Sequence, residues 1–137
     1  MALQVDLLRQ SFELVVERNP DLTVRFYEIL FERYPQLKPM FDPSRRAQQA
    51  KMLATALGAV LDHLEDAAWL EAHLSALGTR HVDYGVTHQM YDWVGDSLLI
   101  TLAEVAGGDW TPHLQEAWSE AYGAIVGLML RPAAAAE

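Results

Sequence analysis

The sequence predicts an all-α protein, and three observations support this prediction. Apolar residues recur at i, i+3 or i+4 and i+7 through most of the 137 residues, which is the spacing of one face of an α-helix. Prolines and capping residues interrupt the pattern at helix-length intervals. No useful stretch alternates apolar and polar residues as a half-buried strand would. We therefore expect one domain of about six to seven helices.

The first two predicted helices span about residues 3–18 and 20–34. Asn19 is expected to cap the second helix, Pro20 suits its first position, and Pro35 ends it. The inward positions of both helices are Val5, Leu8, Phe12, Val15, Leu22, Phe26, Tyr27, Leu30 and Phe31.

The prolines of "PQLKPMFDPS" limit this segment to a short helical turn and a corner. Ser44 is expected to cap a third long helix at about residues 45–64. A shorter helix follows at about residues 67–82 and ends before Gly85. The inward row of the third helix is Gln49, Leu53, Leu57, Val60, Leu61 and Leu64.

Two threonines begin the last two helices. Thr87 caps a helix at about residues 88–106, and Thr111 opens another at about residues 112–130, which Pro132 ends. Their inward residues are Tyr91, Val94, Leu98, Leu102, Val105, Leu114, Trp118, Ala121, Tyr122, Ile125 and Met129.

Composition excludes several classes of function. The net charge is −9 and no basic stripe is present, so nucleic-acid or anionic-membrane binding has little electrostatic support. No apolar run reaches membrane-spanning length, and the N-terminal segment lacks the features of a signal peptide. We expect a cytoplasmic domain at residues 1–131 with a frayed tail at 132–137.

The chain contains no cysteine. Disulfides, thiolate-bound zinc, iron–sulfur clusters, a cysteine nucleophile and thioether attachment of a haem are all excluded. Motifs for phosphate loops, zinc proteases, EF-hands, nucleophile elbows and di-iron bundles are also missing.

Three polar residues lie on inward rows of otherwise apolar helices: Tyr27, Gln49 and His81. Burying such groups without partners costs about 1–3 kcal/mol each, so something in the interior should satisfy them. Taken alone, His81 is more often an ordinary core or surface histidine.

A family resemblance accounts for all three residues. The segments "RFYEILFERYPQLKPMF", "QQAKML", "LGTRHVDYGV", "YDWVGDSLL" and "AWSEAYGAIVGLML" occur in order and together resemble a globin. The likeness is greatest to bacterial single-domain haemoglobins and the globin domain of flavohaemoglobins, and extends to neuroglobin. It implies the globin fold around a non-covalent haem b (iron protoporphyrin IX).

The resemblance also assigns the residues around the haem. His81 takes the place of the proximal iron ligand, with its second ring nitrogen held by an acceptor. Phe41 matches the aromatic that wedges against the haem, although a plain hydrophobic contact would look identical in sequence. Leu53 would project over the iron on the distal side, and Val94 would touch the porphyrin from below.

Tyr27 and Gln49 together resemble the distal pair of the bacterial group. Bound O₂ draws partial negative charge, so a phenol O–H and an amide N–H aimed at it would slow its release. The alternatives are that the Tyr27 hydroxyl turns outward and that Gln49 swings to solvent.

The chain departs from the flavohaemoglobin pattern on the proximal side. Tyr91 fits a tyrosine that backs the proximal histidine, but the accompanying glutamate would fall near Ala133, and Glu137 is too far along the tail. The strong electron "push" of peroxide or dioxygenase chemistry is therefore not expected. Flavin and nicotinamide domains are absent from these residues, so turnover would require a separate reductase.

Seven further residues have weaker assignments. Four histidines are expected mainly at the surface, with His73 kept as a weak ligand candidate: His63, His73, His88 and His113. Three cations are candidates to pair with the haem propionates, although solvated surface charge is the commoner outcome: Arg80, Lys51 and Arg46.

Three functions follow from these assignments. The first is reversible binding of O₂ or another diatomic gas, such as NO or CO, at a five-coordinate haem iron for transport, storage or scavenging. The second is a nitric oxide dioxygenase that uses a separate reductase. The third is a helical signalling domain without haem, which Tyr27, Gln49 and His81 disfavour.

Overall fold

The structure is a computed structural model that describes residues 4–130. In this range the chain forms α-helices and short 3-10 helices and no β-strand. The helices are α1 (Val5–Arg18), α2 (Leu22–Arg33), α3 (Arg46–Asp62), α4 (Ala67–Asp83), α5 (His88–Ala106) and α6 (Pro112–Met129). The 3-10 helices are Pro35–Met40, Pro43–Arg45 and Gly107–Asp109. The all-α prediction is confirmed.

The predicted start of α2 is wrong by about two residues. Asn19 does not cap this helix; its side-chain oxygen accepts from the Asp21 N–H at 3.0 Å and closes a turn around Pro20. An Asn side chain favours this local turn because it reaches the backbone two residues ahead. The helix therefore begins after the turn, at Leu22.

The predicted cap of α3 is also wrong. The Asp42 carboxylate accepts from the Ser44 backbone N–H at 3.0 Å and from the Ser44 hydroxyl at 2.8 Å, so Asp42 caps the 3-10 helix Pro43–Arg45. A proline occupies a first helical position readily, which makes the residue before it the cap. The hydrogen bonds from Ser44 lower the pKa of Asp42.

The described apolar interior forms two clusters. The larger is built mainly from α1, α2, α5 and α6, and the smaller joins the end of α3 to α4 and α6 through Val60, Leu70 and Leu74. α3 packs chiefly against α2, whereas α4 packs against α6. The consecutive helices α3 and α4 thus have their main contacts with different partners.

The crossing of α4 and α6 depends on Gly78. A Cβ atom at this position would overlap the backbone carbonyl oxygen of Met129. Backbone cannot move aside as the end of a flexible side chain can, so the two helices can pack this closely only over a glycine.

We expect Gly78→Ala to destabilise the protein by about 1–3 kcal/mol, the usual cost of overpacking. Gly123→Ala is the matched control because it lies exposed on α6 and its Cβ would meet nothing within 4 Å. The control should be neutral or stabilising by up to about 1 kcal/mol. Urea denaturation followed by circular dichroism measures both variants; equal stability of the two would contradict the assigned crossing.

Within the described residues, no helix combines the length and the apolar character needed to cross a membrane.

Candidate functional site

The C-terminal end of α4 fixes the backbone of His81. Gly85 has φ +85, a conformation that favours glycine, and its N–H donates to the Val82 carbonyl at 2.9 Å. The Val86 N–H donates to the His81 carbonyl at 3.0 Å. These two bonds form a Schellman motif. The prediction that the helix ends before Gly85 is confirmed, and the same motif holds His81 in the last helical turn.

The hydrogen bond made by the His81 ring determines its tautomer. Nδ1 lies 2.8 Å from the backbone carbonyl oxygen of Leu77, one turn earlier on α4. A carbonyl oxygen only accepts, so Nδ1 carries the hydrogen and a neutral ring keeps its lone pair on Nε2. The ring is half-buried. His81 is thus oriented with one nitrogen free to bind a metal.

The Tyr91 ring lies beside His81. The ring centroids are 6.1 Å apart and the planes differ by 26°. Tyr91 is 6% exposed, and burial raises the pKa of its phenol. Within residues 4–130, no hydrogen bond joins the Tyr91 hydroxyl to His81. The contact between the two residues is therefore one of packing.

Tyr122 is a residue whose role sequence reasoning missed. Its hydroxyl donates to the backbone carbonyl of Tyr91 at 2.6 Å, and burial raises its pKa far above the ordinary value, so it remains a donor. A Cβ at Gly95 would lie 2.5 Å from the Tyr122 ring, so the approach requires a glycine. Gly95, one turn after Tyr91, was the available signal, because glycine inside a helix often marks close packing.

Three aromatic residues form the distal cluster: Tyr27, Phe31 and Phe41. The Tyr27 centroid lies 5.9 Å from that of Phe31 and 5.5 Å from that of Phe41, and the two phenylalanines are 5.3 Å apart. Tyr27 is 8% exposed, and burial raises the pKa of its phenol. Its O–H makes no hydrogen bond to any residue of the described chain. The phenol is a protonated donor without a protein acceptor.

Gln49 and Leu53 lie one turn apart on α3, and both are half-buried. The Gln49 Oε1 atom is buried and has no hydrogen-bond partner. Leu53, Phe41 and Val94 all pack against the larger apolar cluster, which includes Tyr27. A buried amide oxygen without a partner is costly and indicates that the described protein alone does not complete this region.

The structure thus brings the predicted site residues into two groups. Tyr27, Phe41, Leu53 and Val94 share the larger cluster, with Gln49 next to Leu53 on α3; His81 and Tyr91 form the second group. Val94 follows Tyr91 by one turn, so α5 connects the two groups.

The expectation that His63 and His73 are surface groups is wrong. Both residues are half-buried, and both rings stack on the indole of Trp69. The ring centroids are 3.7 Å apart for His63 and Trp69 and 4.4 Å apart for Trp69 and His73. His63 Nδ1 also lies 2.8 Å from the Ala59 carbonyl. His63 follows α3 and meets Trp69 of the next helix, a contact that spacing along one helix does not reveal, whereas His73 lies one turn after Trp69 on α4 itself. His88 and His113 are exposed as expected.

The remaining candidates have distinct positions. Lys51 and Arg80 are exposed, whereas Arg46 is half-buried with its guanidinium carbon 4.7 Å from the Phe31 ring centroid. Ala133 and Glu137, which bear on the missing proximal glutamate, lie outside the described residues, as does the tail at 132–137.

Curated proteins similar to this chain are flavohemoproteins. A flavohemoprotein of Rhodopirellula baltica is 31% identical over 128 residues, covering 92% of this chain, and one of Bacillus thuringiensis subsp. konkukian is 30% identical over 88% of this chain. The chain spans only 31% and 30% of the lengths of these relatives.

Solved structures give the same result. A bacterial globin from Campylobacter jejuni superposes with a TM-score of 0.79 at 27% identity, covering 93% of this chain and 91% of that one. An engineered carbene transferase built on a proposed nitric oxide dioxygenase of Rhodothermus marinus superposes with a TM-score of 0.81 at 27% identity, covering 94% and 91%. The Globin family profile matches residues 24–129, which is most of the sequence. The chain belongs to the globin family.

Proposed function

We propose that this protein reversibly binds O₂ and other diatomic gases at a non-covalent haem b, with five-coordinate iron, for oxygen transport, storage or scavenging. The ferrous iron of such a haem supplies the bond to O₂, NO or CO. The residues of the chain hold the haem, orient one ligand to the iron and offer hydrogen bonds to the gas.

The observation that carries the proposal is the His81 ring. Leu77 holds Nδ1–H at 2.8 Å and leaves Nε2 available on a neutral imidazole, which is the form that ligates haem iron. Within residues 4–130, no set of three or more His, Asp or Glu side chains could hold a metal ion. A metal bound by His81 would therefore need most of its ligands from a cofactor, as a porphyrin provides.

The apolar interior fits a haem. Phe41, Leu53 and Val94 are half-buried at the edge of the larger cluster, and the smaller cluster of α3, α4 and α6 lies apart from it. A flat apolar cofactor between α3 and α4 would cover these side chains. Each Å² of apolar surface buried in this way would stabilise the complex by about 25 cal/mol. With no cysteine in the chain, retention would depend on packing and on His81.

The distal residues fit a ligand that develops negative charge. Tyr27 is a buried residue whose hydroxyl has no protein acceptor. The Gln49 amide has a buried, unpaired oxygen, and rotation of this amide would turn its NH₂ group to the ligand. Both groups would donate to O₂ and far less to CO, whose outer atom carries less negative charge. Slow release of O₂ is the consequence.

A haem titration tests the proposal. The apoprotein should bind one haem b per chain, and its ferrous form should take up O₂ and CO reversibly, both followed by absorption spectra. Alkaline pyridine should release the cofactor with the spectrum of a haem b. If haem binding does not saturate at one haem per chain, the proposal is wrong. The remaining candidate function is then a helical signalling domain that binds no haem.

A second function, NO dioxygenation, is favoured by the likeness to flavohemoproteins and to the Rhodothermus marinus protein. Conversion of NO and O₂ to nitrate consumes one electron per turnover, which a separate reductase would supply. The NO consumption of the O₂-loaded protein, measured with and without an added reductase, distinguishes the two: sustained turnover only with reductase supports the enzyme, and a single stoichiometric turnover supports gas binding. We place the protein in the cytoplasm in either case.

A further inference from the structure

Arg46 is a half-buried cation without a carboxylate partner. It is the first residue of α3, one turn before Gln49, and its guanidinium carbon lies 4.7 Å from the Phe31 ring centroid. Its Nε atom is buried and makes no hydrogen bond. Among residues 4–130, no ion pair neutralises it, although the chain carries a net charge of −9.

The contact with Phe31 satisfies only part of this cation. A guanidinium has five N–H donors and remains charged at any pH at which proteins fold, whereas the face of a benzene ring offers no lone pair. At least one donor, Nε–H, is removed from water and left without an acceptor. Such a group is stabilised most by an anion.

Two hydrogen-bond donors lie near Arg46, and no carboxylate of residues 4–130 is within ion-pair distance of it. Phe31 belongs to the distal cluster with Tyr27, whose phenol has no protein acceptor, and Gln49 brings an amide on the same helix. Burial raises the pKa of Tyr27, so the phenol stays neutral and does not oppose an anion. The position of Arg46 at the start of α3 also adds the positive end of the helix dipole.

We propose that Arg46 makes the distal pocket selective for small anionic ligands of ferric haem, such as azide or nitrite, over neutral ligands. This inference rests on the proposed haem function. A haem propionate is the other anion that Arg46 could meet. Propionates extend toward solvent, and the exposed Lys51 and Arg80 suit them better than a guanidinium whose Nε is buried on the distal cluster.

The test is equilibrium binding of azide and of imidazole, a neutral ligand, to the ferric haem-loaded protein. Arg46→Met keeps the length of the side chain without its charge, and Arg46→Lys keeps the charge without the fork of donors. Lys38→Met is the matched control because it removes an exposed cation from the 3-10 helix Pro35–Met40 and leaves the candidate propionate partners in place. Soret shifts report both dissociation constants at constant pH and ionic strength.

In Arg46→Met we expect azide affinity to fall about tenfold or more, the scale of one charge-assisted hydrogen bond, with imidazole affinity unchanged within about twofold. Arg46→Lys should fall between wild type and Arg46→Met, and Lys38→Met should match wild type. The loss should persist in high salt, because a buried charge is screened little.

Three results would overturn the inference. Equal loss of azide and imidazole affinity in Arg46→Met would assign the side chain a steric role. Faster haem transfer to an acceptor protein with unchanged azide affinity would make Arg46 a propionate partner. An equal loss in Lys38→Met would show a general charge effect. If the wild-type protein binds no haem, the proposed function itself fails, and that outcome is visible before any ligand is added.

Discussion

Replacing His81 with alanine is expected to lower haem affinity by about 100-fold or more. Losing a group that merely orients a metal ligand typically costs about 10–100-fold in metal affinity, and His81 is assigned as the ligand itself. Because haem binds only the folded protein, a 100-fold weaker complex also loses about 2.7 kcal/mol of stabilisation at saturating haem. Haem transfer to an acceptor protein and thermal denaturation measure the two effects.

Two comparisons make the His81 result specific. Exogenous imidazole should restore the Soret spectrum of His81→Ala by occupying the vacated position, while His113→Ala, which removes an exposed histidine, should behave as wild type. His73→Ala is also expected to retain haem, because His73 stacks on Trp69. An unchanged spectrum and haem content in His81→Ala would remove His81 from the ligand position.

Replacing Tyr27 with phenylalanine is expected to speed O₂ dissociation by about tenfold or more, the scale of one hydrogen bond to a charged acceptor. CO release should change much less, since CO develops less negative charge on its outer atom. The effect should be constant across neutral and mildly alkaline pH, because burial raises the pKa of Tyr27 above its ordinary value of 10.0. Stopped-flow replacement of O₂ and of CO measures both rates.

Gln49→Leu should accelerate O₂ release in the same direction. The double variant should be non-additive, because the two donors share one acceptor. Tyr34→Phe is the matched control: it also deletes a phenol hydroxyl, but from a ring stacked on Trp93 with the centroids 4.9 Å apart. Equal acceleration of O₂ and CO in Tyr27→Phe would mean that Tyr27 shapes the pocket without bonding the ligand.

The helices and several of the capping motifs at their ends were predictable from the sequence. Periodicity placed α5 at His88–Ala106, and Thr87 caps it as expected by accepting from the Met90 N–H. Gly85 marked the end of α4 and hence the position of His81 in its last turn. These features depend on residues within one or two turns, where local sterics and hydrogen bonds decide the structure.

Hydrogen bonds that depend on the direction of a side chain were less predictable, even within one helix. The Asn19 and Ser44 caps failed because each side chain had a competing hydrogen bond two residues away. The sequence placed Gln49 and Tyr27 on inward rows, but only the structure shows that the Gln49 oxygen is buried and unpaired. The direction of a side chain depends on which partner it meets.

The sequence by itself determined the helical fold, the positions of Tyr27, Gln49 and His81, and the absence of cysteine chemistry. Only the tertiary structure decided what joins distant segments: Arg46 over Phe31 and Tyr122 on the Tyr91 carbonyl. The physical reason is the separation along the chain of the residues that interact. Helix period and caps are set by neighbours within a few residues, whereas these contacts arise when separate helices compete to bury the same apolar surface.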